Sequence, residues 1–341
     1  MINEKKKIVI NIGKEVLVYV PGKLLPALFG FIGVSVYTRI LSPTEYGDYA
    51  LLMAIINIIG LISYSWLSQS NLRFFSTYKE NNIHIFITTT FVTLVSILSI
   101  VSAALLLIYK WSLISNSISS YLFETIGVLI STAFFEISTN ILRANRKSKY
   151  VSSSLILSAG LSLVSSLMLI YYFNIGISAI FIGIIGANSI LTIFLLLRFN
   201  AQKYIKLMYF SKAMLKEFLN YGVPIIITLI FSWILSLSDR YQIAYFKGSN
   251  AVGIYSATYQ LASYPLLLVS STLIFAAFPI IIDTWNINGK IVTEDLIKDI
   301  TRYYLLITIP IVVGMTILSK ELIWILGNDY SNGYIVLPLI C

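Results

Sequence analysis

Hydrophobic residues in this chain fall into long runs parted by short polar connections, and the runs have the length of a lipid bilayer. Crossing a hydrocarbon core of roughly 30 Å takes about 20 apolar residues in a helix. Nine runs meet that measure, over 24–41, 49–67, 85–109, 121–142, 151–173, 176–197, 221–237, 252–282 and 303–318, and a tenth opens at Tyr334 and runs to Cys341. The alternation of apolar and polar positions that marks a barrel strand is missing. Lipid leaves no partner for an open backbone group, so each run is expected to be a helix. The pattern predicts an all-α integral membrane protein.

Composition strengthens that reading and excludes a soluble domain. Of the 341 residues 57% are hydrophobic and 11% charged, with a mean hydropathy of +0.85. Soluble domains average about 25% charged residues. The single cysteine, Cys341, excludes an internal disulfide and a cysteine-built metal cluster. The first residues, Met1 to Lys14, are basic but lead into a span of full length without a small-residue cleavage site, so no signal peptide is expected.

A net charge of +9 and a pI near 9.3 would suit nucleic acid, but the basic residues are scattered through the short connections. That placement fits membrane topology instead, and no nucleic-acid partner is expected. One set of alternate connections holds Lys5, Lys6, Lys7, Lys14, Arg73, Lys79, Arg143, Arg146, Lys147, Lys149, Arg198, Lys203, Lys206, Lys212, Lys216, Lys290, Lys298 and Arg302, which is 18 of the 24 cations. The other set holds Arg39, Lys110, Arg240, Lys247 and Lys320. The positive-inside rule then puts the first set, and the N-terminus, in the cytoplasm.

Two halves of the chain repeat each other. Lys14-Glu15-Val16-Leu17 followed by Pro21 matches Lys216-Glu217-Phe218-Leu219 followed by Pro224, and the stretch from Ser42 to Ala50 matches that from Gly248 to Ser256. The offset is 202 residues at the first match and 206 at the second, a difference of about one helical turn. Gly47 and Gly253 are expected to serve the same tight turn. Six spans, an even number, lie between the two starts, so both halves enter the membrane in the same direction. Parallel repeats related by an axis along the membrane normal are a transporter architecture. The expected division is a six-helix lobe over 1–200 and an incomplete lobe of about four helices over 201–341.

Several short stretches carry a family likeness. Arg39 to Gly47 (Arg-Ile-Leu-Ser-Pro-Thr-Glu-Tyr-Gly), Asn71-Leu72-Arg73-Phe74-Phe75, Asp239-Arg240 and Ala251-Val252-Gly253-Ile254-Tyr255 resemble the polysaccharide transporters, the O-antigen and capsule repeat-unit flippases. Their superfamily also holds lipid II flippases and multidrug and toxin extruders. The resemblance covers essentially the whole chain, through short motifs. Members of the family usually have twelve or more helices, so a chain ending at Cys341 is expected to be truncated. The resemblance implies two extruder-like helical lobes in the bacterial inner membrane. It also implies translocation of an undecaprenyl-pyrophosphate-linked oligosaccharide by alternating access, with membrane lipids and other polysaccharide-assembly membrane proteins as partners.

Such a substrate calls for a cationic, hydrogen-bonding cavity between the halves, and charges at membrane depth are the candidates for it. Lys23 and Arg39 lie on the first span, Asp239 and Arg240 follow the seventh, and Glu136, Asn140 and Arg143 share one face of the fourth at helical spacing. Asn57, Asn188 and Gln260 add uncharged donors and acceptors. Each has a structural reading too. Arg39 near its span's outer end and Lys23 near the cytoplasmic edge suit snorkelling and topology. Asp239 and Arg240 suit a neutralising pair at a helix end, and Glu136 suits a tie between helices. Pro21, Pro26, Pro224, Pro265 and Pro279 are expected to kink helices, above all in the long eighth span. The 143–149 basic cluster is explained by topology, His84 is expected to be solvated, and Gly183 and Ala187 suit helix packing.

Enzyme chemistry finds little support, since the chain has no nucleotide-binding loop, histidine cluster or nucleophile motif. No cofactor is expected, and the energy source would be an ion gradient, H+ or Na+, or the substrate's own gradient. Two other classes stay open. A drug or cation antiporter would prefer an embedded carboxylate such as Glu136. A polysaccharide polymerase or ligase would carry a large arginine-bearing outer loop, whereas the outer connections here are short.

Overall fold

In the computed structural model, which describes residues 2–110 and 120–341, and only the backbone of 2–19, 202, 275, 276 and 279, each expected run is helical. Helix α1 covers Ile2–Ile40. Ser42 then takes an extended backbone and caps the next helix. Its hydroxyl accepts from the Glu45 N–H at 3.3 Å, while the Glu45 carboxylate accepts from the Ser42 N–H at 2.9 Å. With Pro43 in the first turn, this reciprocal cap fixes where one span ends and the next begins. Helix α2 covers Pro43–Tyr78 and contains one π-helical turn at Leu61–Ser65.

Helices α3 (Ile83–Lys110), α4 (Leu122–Ala144), α5 (Ser148–Phe173) and α6 (Ile177–Arg198) follow. Helix resumes at Lys212 and runs to Ile317, broken at Gly248 (φ 78°) and Gly289 (φ 77°). A positive φ is where glycine costs least. These breaks give α7 (212–247), α8 (249–288) and α9 (290–317). The chain reverses at both. The Tyr255 hydroxyl of α8 donates to the Asp239 carboxylate of α7, and the Ser270 and Tyr304 hydroxyls of α8 and α9 meet at 3.2 Å. Short α10 (Ser319–Ile323) and α11 (Gly333–Ile340) complete the described chain.

Among the described residues eight stretches are long and apolar enough to cross a membrane, and Gly248 divides the one at Lys212–Ile274 into two crossings. Large apolar side chains on the outside, such as Leu235 at 86% and Leu339 at 83% exposed, suit lipid rather than water. Inside, α1 packs on α5, α5 on α6 and α6 on α4, and α2 lies along α7 and α8. Gly183 allows the α5–α6 contact, since a Cβ there would come 2.8 Å from the Ser162 carbonyl oxygen. Several buried hydroxyls bond within their own helices, as where Thr139 donates to the Phe135 carbonyl at 2.8 Å.

Two expectations are corrected. Gly47 and Gly253 do not form tight turns; both lie in the first turns of helices, α2 and α8, where those helices cross. A Cβ on Gly47 would collide with the Ser249 carbonyl, and one on Gly253 with the Pro43 carbonyl. The contact is reciprocal, because Ser249 and Gly253 each stand 206 residues after Pro43 and Gly47. The eighth span, in turn, is not broken at a proline. Helical backbone continues through Pro265 and Pro279, and the interruptions fall at Gly248 and Gly289.

Candidate functional site

Where α1, α2, α5 and α6 face α8, a cavity of about 160 Å3 opens with Tyr37, Tyr46, Tyr49, Ser162, Gln260 and Tyr264 among its walls. Gln260 on α8 binds both sides. The Tyr264 hydroxyl donates to its Oε1 at 3.5 Å, and its Nε2 donates to the Tyr46 hydroxyl of α2 at 3.1 Å. Tyr37 shares a 2.6 Å hydrogen bond with Ser166 behind the wall. The rings of Tyr46 and Tyr49 lie 5.6 Å apart, and Phe31 meets Tyr264 edge-on at 6.3 Å. Gly30 admits the Tyr264 ring, since a Cβ there would stand 2.5 Å from its hydroxyl. The cavity is aromatic, hydroxyl-rich and, among the described residues, lined by no charged side chain. Aromatic faces with a few convergent polar groups recognise ligands that combine C–H faces with hydroxyls.

The charges picked out by membrane depth lie elsewhere. Lys23 is exposed on α1. Arg39 is exposed too, and its Nε donates to the Ile325 carbonyl at 3.2 Å, with its guanidinium 5.8 Å from the Trp324 ring centroid. Ser35, one turn back, donates to the same carbonyl at 3.1 Å, and the Tyr330 hydroxyl donates to the Leu41 carbonyl at 3.1 Å. Arg39 thus fastens the end of α1 to the connection between α10 and α11.

Asp239 and Arg240 form one assembly. Arg240 is 5% exposed, donates to the Ser236 carbonyl at 2.9 Å and to the Asp239 carboxylate at 3.4 Å, and lies 5.2 Å from the Tyr259 ring centroid. With Tyr255 on the other Asp239 oxygen, the pair is neutralised and ties α7 to α8.

Glu136 and Asn140 also come together. One turn after Glu136 on the same face of α4, Asn140 donates to the Ser68 hydroxyl of α2. Among the described residues no cation pairs with Glu136. Asn188 ties three helices, accepting from Ser158 at 2.7 Å and donating to Thr132 at 3.3 Å, so it stands outside the cavity. Asn57 is exposed and donates to the Met53 carbonyl of its own helix at 2.7 Å. His84 is exposed as expected, yet its ring sits 4.8 Å from that of Tyr204 and 5.5 Å from that of Tyr209.

Of the polar and charged residues singled out in sequence, Gln260 alone among the described residues lines the cavity, joined by Pro26 from the expected kink positions. Tyr37, Tyr49 and Tyr264 were hidden among 23 tyrosines, most of which suit membrane interfaces equally well. Tyr46 did stand inside the Arg39 to Gly47 motif, and that was the signal available.

Residues 12–285 match a family model described as polysaccharide biosynthesis protein. Lsg locus protein 1 of Haemophilus influenzae is 22% identical over 335 residues, covering 96% of this chain and 80% of its own length. An uncharacterized membrane protein of Methanocaldococcus jannaschii is 26% identical over 211 residues, covering 58% of this chain and 39% of its own. Among solved structures, the inward-facing conformation of a multidrug resistance MATE family transporter of the MOP superfamily superposes with a TM-score of 0.69 at 12% identity, over 94% of this chain and 79% of that one. An outward-facing conformation gives 0.61 at 15% identity, over 96% and 76%.

Proposed function

We propose that this chain, which belongs to the polysaccharide biosynthesis protein family and shares the fold of solved membrane transporters, is a membrane transporter that flips an undecaprenyl-pyrophosphate-linked oligosaccharide repeat unit across a bacterial inner membrane. In this reading the N-terminus is cytoplasmic, in keeping with the 18 cations of the basic connections. Residues 1–200 and 201–341 are parallel lobes that rock about the reciprocal Gly47–Gly253 crossing.

The observation that carries the proposal is the tyrosine- and glutamine-lined cavity between α8 and the helices of the first lobe. Rings that stack on a pyranose face and hydroxyls that replace its hydration suit a sugar. The absence of charge from the described walls argues against an organic cation as ligand. The pyrophosphate, which wants cations, then stays nearer a membrane surface, where topology has gathered lysine and arginine. A drug antiporter is the second reading. Its supporting observation is Glu136, a carboxylate at membrane depth without a cation partner among the described residues.

Deleting the gene tests the proposal. Lipid-linked repeat units should accumulate on the cytoplasmic leaflet and surface polysaccharide should be lost. Unchanged surface polymer in the deletion strain would overturn the proposal.

A further inference from the structure

We propose that the connection between α6 and α7, together with the α4–α5 connection beside it, is a docking surface for anionic phospholipid headgroups, anchored by Leu207 and Met208. Its charge has one sign. Between Glu136 and Glu217 the chain carries nine lysines and arginines and no acidic residue, four of the cations at 143–149 and five at 198–216. All nine are exposed. The stretch 283–302, about the reversal at Gly289, belongs to the same alternate set of basic connections but is composed differently. There three cations stand among four acids, and Lys290 pairs with Glu294 at 3.6 Å and Lys298 with Asp295 at 2.8 Å. Topology needs lysine and arginine but is nearly indifferent to acids. It therefore accounts for both sets of cations and not for the missing carboxylates of the first.

The two connections make one surface. Arg198 donates to the Tyr150 hydroxyl at 3.5 Å, and the Tyr150 and Phe199 rings meet edge-on at 5.1 Å. Further along, the backbone is pinned to α3. The Thr88 hydroxyl donates to the Tyr204 carbonyl at 2.8 Å and accepts from the Lys206 N–H at 3.2 Å, while the Thr89 hydroxyl accepts from the Ser211 N–H at 3.1 Å. The rings of Tyr204 and Tyr209 lie against His84.

What this connection leaves outside alternates between apolar and basic. Leu207 is 77% and Met208 79% exposed, next to exposed Lys203, Lys206 and Lys212. They follow the span that ends at Arg198 and precede the one that begins at Lys212, so the tails of the bilayer core do not account for them. Neighbouring large apolar side chains on a surface mark an interaction site. At the headgroup boundary Leu207 and Met208 sink toward the acyl chains while the lysines beside them meet phosphate, the arrangement of an interfacial anchor. The pinned backbone holds that arrangement ready, which cuts the cost of ordering when lipid binds. A soluble phosphate would satisfy the lysines but leave both apolar side chains in water, so the lipid is the better occupant.

No oligosaccharide enters the test, so its outcome is separate from that of the flippase reading. A spin label on Met208→Cys, in protein that also carries Cys341→Ser, is read in nanodiscs of phosphatidylglycerol and phosphatidylcholine. It should be reached by oxygen and shielded from a water-soluble nickel chelate, whereas a label on Asn81→Cys, in another exposed connection, should be open to the chelate. Native mass spectrometry then weighs the lipids that stay on the protein as it leaves mixed micelles. Retention of phosphatidylglycerol over phosphatidylcholine should fall about fivefold for each charge removed by Lys203→Gln and Lys206→Gln. It should not change when Lys290→Gln and Lys298→Gln are combined, and inorganic pyrophosphate should leave the lipid in place. A label at position 208 that the chelate reaches overturns the anchor. Equal retention in the two double variants overturns the lipid surface, and displacement by pyrophosphate overturns it in favour of a soluble anion.

Discussion

Gly47 and Gly253 show at the scale of single residues what the repeat in the sequence is for. Their hydrogens let the first turns of α2 and α8 touch backbone to backbone, so an added methyl meets a carbonyl oxygen that cannot move aside. Gly47→Ala should lower thermal stability in detergent by about 1–3 kcal/mol, the usual cost of overpacking. Gly314→Ala, where an added Cβ meets nothing within 4 Å, should be nearly neutral. Equal effects in a melting experiment would refute the crossing. The glycine match was legible in sequence, but its purpose was not, because a turn and a close helix crossing ask for the same residue. The same ambiguity hid the cavity. Membrane depth singles out charges, and of these Arg39, Asp239 and Arg240 prove to be fasteners, whereas the cavity walls use tyrosine. Gln260→Ala, which removes the bridge between α8 and Tyr46, should slow translocation about fivefold, the ~1 kcal/mol of one net hydrogen bond, with membrane levels of protein unchanged. A transport assay showing the wild-type rate would remove Gln260 from the site.

Among the elements, α2 is the one with most to do. It begins at a reciprocal Ser42–Glu45 cap, crosses α8 at Gly47, carries Tyr46 and Tyr49 into the cavity wall, and ends against α7. Its π-turn sets how the two ends face. Deleting one residue within Leu61–Ser65 would rotate everything beyond by about 100°. Ser68 would leave Asn140, and Ser70 would leave the Phe218 carbonyl. Such a deletion should give protein that fails to accumulate in the membrane, whereas Ile62→Ala, at an exposed position of the same turn, should accumulate normally. The presence of the helices was readable in sequence, because lipid permits no other structure for a long apolar run, but α1, α2 and α7 extend well beyond the runs at 24–41, 49–67 and 221–237. Their breaks were harder to place. Proline at 265 and 279 signals a break that tertiary packing overrides, while Gly248 and Gly289, less conspicuous in sequence, are where the backbone turns left-handed.

At the scale of the whole molecule, the account requires the two lobes to part and rejoin. One fastening is the end of α1, where Ser35 and Arg39 hold the Ile325 carbonyl. Cysteines at Ser35 and Ile325, introduced after replacing Cys341, the one native cysteine, should form a disulfide that stops transport and is rescued by reductant. Full transport with the bridge closed would mean that this end of the seam does not open. Arg39→Ala should loosen the fastening with little loss of stability, since the residue is exposed. Arg240→Ala should destabilise far more, because it strips the partner from Asp239 in the α7–α8 tie. Thermal melts of the two variants side by side check that order. The claim on which all of this stands is translocation itself. Its most direct measurement is the purified protein in proteoliposomes holding an undecaprenyl-pyrophosphate-linked oligosaccharide, with the sugar's exposure read by an impermeant glycosidase outside. The account predicts that sugar from the inner leaflet becomes cleavable, faster than in protein-free vesicles and more slowly with Gln260→Ala. Protection of half the sugar, unchanged by adding the protein, would contradict it.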